Sequence, residues 1–219
     1  SSDSYYAEEY ALASEIALQD LDNQDVPFNL RENHTNLVVS GLRRDREDRA
    51  VTLLTTAANM GSGPTIAANR LWSDYVNSDP IADIKTAHAF IHIQTGLVAN
   101  TIAMNWDVFQ VLSTHPALLE AYKYVVGGQL TMAQLAEQFK VAQILISKPV
   151  KENALEGGTS SMTNLWPNHV LVAYVGRPNG LQTATLGLRY RWAPPSFPAP
   201  IAAGTARETG PGKRNVEIV

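Results

Sequence analysis

Apolar residues along this chain recur with a helical period in some stretches and alternate or cluster in others, and the polar residues between them supply the caps. Leu30, Leu37, Val38, Leu42, Leu53, Leu54 and Ala57 return at helical spacing, predicting a long helix over 29–58. Its centre, Arg43-Arg44-Asp45-Arg46-Glu47-Asp48-Arg49, is charged on every face, so this turn is not packed inside its own domain. Ile81, Ile84, His88 and Ile91 lie on one helical face. Asp79 is placed to cap that helix, Pro80 sits where a missing N–H costs nothing, and Gly96 ends the run. Thr101–Met104 is short and apolar, like a buried strand, and Asn105 or Asp107 then starts another helix. His115-Pro116 breaks that helix and opens the next.

Further on, Thr131 and Gln134 have capping-box spacing ahead of a short amphipathic helix whose buried face is Met132, Leu135, Ala136 and Phe139. Residues 141–147 predict a strand and 148–168 a loop of unusual length. Strands are expected at 170–175 and 181–192, split by Arg177-Pro178-Asn179-Gly180, with a last one at 216–219. Prolines 194, 195, 198 and 200 exclude regular structure between them. Residues 1 to 25, with tyrosines at 5, 6 and 10, look extended or loosely helical. The fold class is α+β.

Composition narrows the function classes. The chain has 219 residues, 45% of them hydrophobic and 17% charged, as in a globular protein. No window has the run of about 20 apolar residues that a membrane helix needs. The first residues lack the basic start and apolar core of a signal peptide. The absent initiator Met is expected to reflect a cleavage or a fragment of a longer protein. Zero cysteines remove disulfides, thiolate catalysis and cysteine–zinc sites. A net charge of −4, with Lys and Arg interleaved among acids, offers no basic stripe for sequence-specific DNA binding.

Candidate chemistry is thin. His88 and His92 stand at the i,i+4 spacing of two metal ligands, but Ala89 occupies the position of the zincin glutamate, and a packed histidine pair is the better reading. Gly210-Pro211-Gly212-Lys213 fails as a phosphate loop, because Arg207 and Arg214 stand where Gly and Ser or Thr belong. The sequon Asn33-His34-Thr35 falls within a predicted helix. Trp72, Trp106, Trp166 and Trp192 are expected to anchor core and interface. No nucleophile elbow and no paired carboxylates stand out, so no catalytic, metal or cofactor site is assigned and the chain is read as a non-enzyme.

The ordered block from Asp79 to Tyr124 carries a family resemblance. Its opening Asp79-Pro80-Ile81 with Asp83-Ile84, continued by Asn100-Thr101, Asn105, Val108, Leu112 and His115-Pro116, resembles the major capsid proteins of tailed bacteriophages. The resemblance implies the tailed-phage capsid fold, with a long spine helix, a peripheral domain and an axial domain. It implies that residues 1–28 are the end of an extended loop or a connecting segment, with the N-terminal arm and most of that loop outside the chain. Residues 29–71 would be the peripheral domain, 72–178 the axial domain, and 179–219 the return strands and tail. The implied function is self-assembly into pentamers and hexamers of an icosahedral shell around double-stranded DNA. The shell would be the virion capsid, assembled in the host cytoplasm, with no membrane. Implied partners are other copies of the chain, packaged DNA through non-specific contact, and scaffolding, portal or decoration proteins. No cofactor is implied. From the charge pattern itself, Arg43, Arg44, Asp45, Arg46, Glu47, Asp48 and Arg49, with i,i+4 pairs available as Arg43–Glu47, Arg44–Asp48 and Asp45–Arg49, are read either as a solvated, self-paired helix face or as a subunit contact. A shell protein of a bacterial nanocompartment is the near alternative. From another class, the alternative is an α/β enzyme using 148–168 as a lid.

Overall fold

The computed structural model describes residues 8–24, 29–60, 63–64, 66–122, 129–155, 157–177, 184–189, 201, 204–208 and 216–218. In chain order the elements are β1 (Glu15–Ala17), α1 (Leu18–Asp22), α2 (Leu30–Thr55), α3 (Ala57–Met60), a 3-10 turn (Ala68–Arg70), α4 (Pro80–Thr95), β2 (Thr101–Asn105), α5 (Trp106–Ser113), α6 (Pro116–Ala121), α7 (Met132–Gln138), β3 (Gln143–Ser147), β4 (Val150–Glu152), β5 (Met162–Asn164), β6 (Leu171–Ala173), β7 (Ala206–Glu208) and β8 (Val216–Ile218). They fall into two compact units, one of residues 1–49 with 189–219 and one of residues 50–188.

In the first unit the sheet runs β1-β8-β7, antiparallel throughout. Ile16 and Leu21 are buried, with Leu18 and Leu30 packed against them. Extended residues on the N-terminal side of β1 meet α2 through alternate side chains. Ser14 Oγ is 2.7 Å from His34 Nδ1, Leu12 lies where a side chain on Gly41 would clash at 2.8 Å, and Tyr10 lies under Arg49. A period of two on an extended segment places residues 10, 12 and 14 on one side. A side chain at 41 would require the half-exposed end of Leu12 to move aside.

The second unit is built on a three-stranded sheet of order β3-β2-β6. β2 pairs parallel with β3 and antiparallel with β6. A parallel pair demands a crossover, and α5, α6 and α7 form it. Ile102 and Met104 on β2 and Leu112, Leu118 and Leu135 on the crossover helices are fully buried, and Phe139, Ile144 and Trp72 close the core. Each fully buried Leu or Ile contributes about 1.5–3 kcal/mol relative to exposure.

The helix boundaries follow from side chains. Asp79 accepts from the Ala82 N–H at 3.0 Å with Pro80 at the first position of α4, and Gly96 closes it at φ 70, a left-handed turn suited to glycine. Asn105 accepts from the Val108 N–H at 2.8 Å and starts α5. Thr131 and Gln134 form the reciprocal capping box of α7.

Several expectations need correction. Met132 is exposed, so the buried face of α7 is Leu135 and Phe139 with half-buried Ala136. Leu37 and Leu53 are exposed on α2, which breaks its apolar stripe. The expected helix over 29–58 ends at Thr55, followed by the single turn α3. The stretch 148–168 is not one loop: it holds the hairpin β4–β5, in register Val150–Asn164 and Glu152–Met162. Glu152 ties off the hairpin's loop, accepting from the Ala154 N–H at 2.9 Å and also from the Ser161 N–H and the Ser160 hydroxyl. These bonds hold its carboxyl below the ordinary range. Of the expected strand 181–192, residues 184–189 contain no strand and the remainder lies outside the described residues, as do Tyr5, Tyr6, the four prolines of 194–200 and Gly210–Lys213.

Candidate functional site

The charged segment lies on α2, and its seven residues do not share one environment. Arg43, Arg44 and Asp45 are exposed, and Arg46, Glu47, Asp48 and Arg49 are half-buried. Of the three i,i+4 pairs that the sequence offers, Asp45 and Arg49 stand 3.1 Å apart. The Arg49 guanidinium carbon also sits 3.2 Å from the centroid of the Tyr10 ring. Its Nη1 is buried without a hydrogen-bond acceptor among the described residues, as expected of a guanidinium laid on a ring face. Arg49 and Asp45 are therefore engaged within the unit, while Arg43 and Arg44 point charge outward. Tyr10 lies far from the segment in sequence, and no local pattern announced it.

His88 and His92 are both on α4. His88 is half-buried, its Nε2 has no hydrogen-bond partner among the described residues, and burial lowers its pKa from the ordinary value of 6.5. His92 is exposed. Among the described residues no group of three or more His, Cys, Asp or Glu side chains could hold a metal ion.

Two buried polar residues organise the second unit instead. Asn105, fully buried, caps α5 with its oxygen, and its Nδ2 donates to Asn168 Oδ1 at 2.6 Å and to the Trp166 carbonyl at 3.4 Å. One amide thus ties the end of β2 and the start of α5 to the segment after β5. His115, also fully buried, accepts from the Ala117 N–H at Nδ1, 3.2 Å, and faces Ser78 Oγ with Nε2 at 2.8 Å. The sequence showed Asn105 and His115 as helix-boundary residues, but not that both are buried links between separate segments.

Beside the hairpin lies a shallow cleft of about 540 Å³, lined by Asp107, Val150, Met162, Thr163, Asn164 and Asn168 among others. Asp107 is its ionisable residue, and its carboxylate accepts from Asn164 Nδ2 at 2.6 Å. That bond ties β5 to α5 and anchors this end of the 148–168 segment. A single hydrogen-bonded carboxylate beside amides and apolar side chains offers no acid–base pair.

The fold is that of a phage-related protein. A crystal structure of such a protein from Bordetella bronchiseptica RB50 superimposes with a TM-score of 0.63 at 20% identity, covering 78% of this chain and 56% of that one. Among curated proteins, the chain is 23% identical over 166 residues to the major capsid protein of Burkholderia phage BcepMu, a match that covers 75% of this chain. The match takes in 52% of the relative, so the chain spans about half the length of the curated protein it resembles. No protein-family profile matches the chain. The chain is thus related to a bacteriophage structural protein of the kind that the Asp79–Tyr124 block resembles. Among the described residues no helix is long and apolar enough to cross a membrane.

Proposed function

We propose that this chain forms part of a bacteriophage capsid subunit whose copies assemble into the pentamers and hexamers of an icosahedral shell enclosing double-stranded DNA. The 166-residue likeness to the Burkholderia phage capsid protein carries this reading. In it, α2 is the spine helix, residues 29–71 and 179–219 make up the peripheral domain, residues 72–178 are the axial domain, and residues 1–28 lead in from an extended loop.

Rings of identical copies need heterologous contacts, in which one surface of a subunit meets a different surface of the next. The segment Arg43–Arg49 is the proposed charged member of such a contact. Its outward arginines Arg43 and Arg44 are left exposed while Arg49 is held by Tyr10 and Asp45. Packaged DNA would be touched loosely, since the net charge is −4 and no basic run is present. Scaffolding, portal or decoration proteins are the further partners of such a shell, which would be assembled in the host cytoplasm.

Negative-stain microscopy combined with sedimentation velocity tests the proposal on protein produced in a heterologous host. Closed shells, or rings of five or six copies, are the expected result. A protein that stays a discrete monomer or dimer at every concentration and salt condition overturns it.

A further inference from the structure

The second half of α4 is apolar and yet lies open. The helix buries Pro80 and Ile84, both in its first half, while Ile93 is 80% exposed and Val98, just past Gly96, is 59% exposed. Phe90, one turn before Ile93, is half-buried, and from Thr86 to Trp106 the chain carries no Asp, Glu, Lys or Arg. An uncharged, apolar helix face of this kind gains stability when something covers it. The charges near its start are unequal. Asp83 is held by Arg70 at 3.3 Å and by Trp72 Nε1 at 2.9 Å, whereas Lys85 is exposed and unpaired among the described residues.

The loop of the β4–β5 hairpin has the matching properties. Its Leu155 is 88% exposed, so it rests on nothing in its own chain. The loop is fixed from inside. The Leu155 carbonyl accepts from the Gly158 N–H at 2.9 Å, and Gly157 takes the left-handed conformation at φ 81. The Glu152 carboxylate accepts from the Ala154 and Ser161 N–H groups and the Ser160 hydroxyl, bonds that favour its ionised form. The loop thus offers a pre-formed apolar side chain beside a fixed negative charge, and Glu156 adds a second acid in sequence.

We propose that the β4–β5 loop of one copy docks on α4 of the next, with Leu155 against Phe90 and Ile93 and the Glu152 carboxylate facing Lys85. The occupant is a second copy because this same chain carries both things that the α4 face lacks, an apolar side chain to cover it and a charge opposite to Lys85. A loop already held in shape loses little freedom on docking. The contact is heterologous, so repetition around an axis closes a ring. Packing α4 on α4 would leave both Lys85 charges unanswered and stop at a dimer. The inference rests on the shell reading above and names a contact within it.

The chain has no cysteine, so introduced ones report this contact alone. Full chains carrying Leu155→Cys and Ile93→Cys, one of them tagged, are co-assembled and oxidised with copper phenanthroline. The expected product is a disulfide-linked pair with one chain of each kind, in excess over either like pair. Lys85→Glu on the Ile93→Cys chain should lower its yield by up to about fivefold at low salt, and added salt should remove the difference. An unchanged yield at low salt overturns the pairing of Lys85 with Glu152. Rings or shells by microscopy without the mixed link overturn the contact and leave the shell reading standing. Predominance of linked pairs of Ile93→Cys chains overturns it in favour of helix on helix. Chains that form neither rings nor the mixed link overturn both readings.

Discussion

The Arg49 guanidinium carbon stands 3.2 Å from the centroid of the Tyr10 ring, while Nη2 reaches Asp45 at 3.1 Å. Tyr10 comes from the extended segment before β1 and Arg49 from α2, so the contact joins two segments far apart in sequence. With Tyr10 49% exposed, a cation–π contact of this kind is worth about 0.5–1 kcal/mol. Tyr10→Ala should destabilise the chain by roughly that amount in urea unfolding and raise amide exchange in residues 8–14. An unchanged exchange pattern would mean that the stacked pair does not hold the segment.

Arg43 and Arg44 make the complementary prediction. Both are exposed, and exposed helix charges contribute only about 0.2–0.5 kcal/mol per pair, so Arg43→Glu with Arg44→Glu should leave folding nearly unchanged. If the segment is a subunit contact, the same reversals set like charges against each other at every repeat of the ring. Assembly should then fail first at low salt, where screening is least. Normal assembly of the double variant at low ionic strength would reduce the segment to a solvated helix face.

Leu135 and Met132 differ by one helical turn and should behave oppositely. Leu135 has no exposed surface and faces the core under β3, whereas Met132 is 45% exposed. Leu135→Ala is expected to lower unfolding stability by about 2–5 kcal/mol, and Met132→Ala by less than about 0.5 kcal/mol. Comparable losses from the two would mean that the buried face of α7 is misassigned.

Asn105 carries a prediction that separates capping from linkage. Asp caps helices as well as Asn does, so a residue that only started α5 would tolerate Asn105→Asp. Here the Nδ2 group also serves Asn168 and Trp166, and an aspartate would turn an acceptor toward both their oxygens. Asn105→Asp should therefore be at least as destabilising as Asn105→Ala, by about 1–3 kcal/mol. Stability equal to that of the unsubstituted chain would show the link to be dispensable.

Much of the second unit was legible because its boundaries are written in local chemistry. Asp79-Pro80, Gly96, Asn105, His115-Pro116 and the Thr131/Gln134 box each satisfy backbone groups within a few residues, and such signals survive in the sequence. The hairpin β4–β5 was not legible. Its strands are three residues long, its apolar residues Val150 and Met162 are exposed, and its loop is closed by one carboxylate that composition does not distinguish from any other. Strand order was equally hidden, since nothing local says that β2 pairs with both β3 and β6. At the charged segment the sequence identified the cluster but could not say that Arg49 is engaged with Tyr10.

The pairing of β1 with β8 sets the order in which a growing chain can finish its two units. Glu15 faces Ile218, so the first unit's sheet closes a loop of about 200 residues, and long closures are slow. The second unit is one continuous stretch, residues 50–188. At translation speeds of about 5–20 residues per second, it has seconds to organise before β8 leaves the ribosome. During that time β1 lacks β8, its pairing partner among the described residues. A nascent chain would therefore display a finished second unit beside an unfinished first one, and interrupted translation would yield molecules lacking the completed sheet.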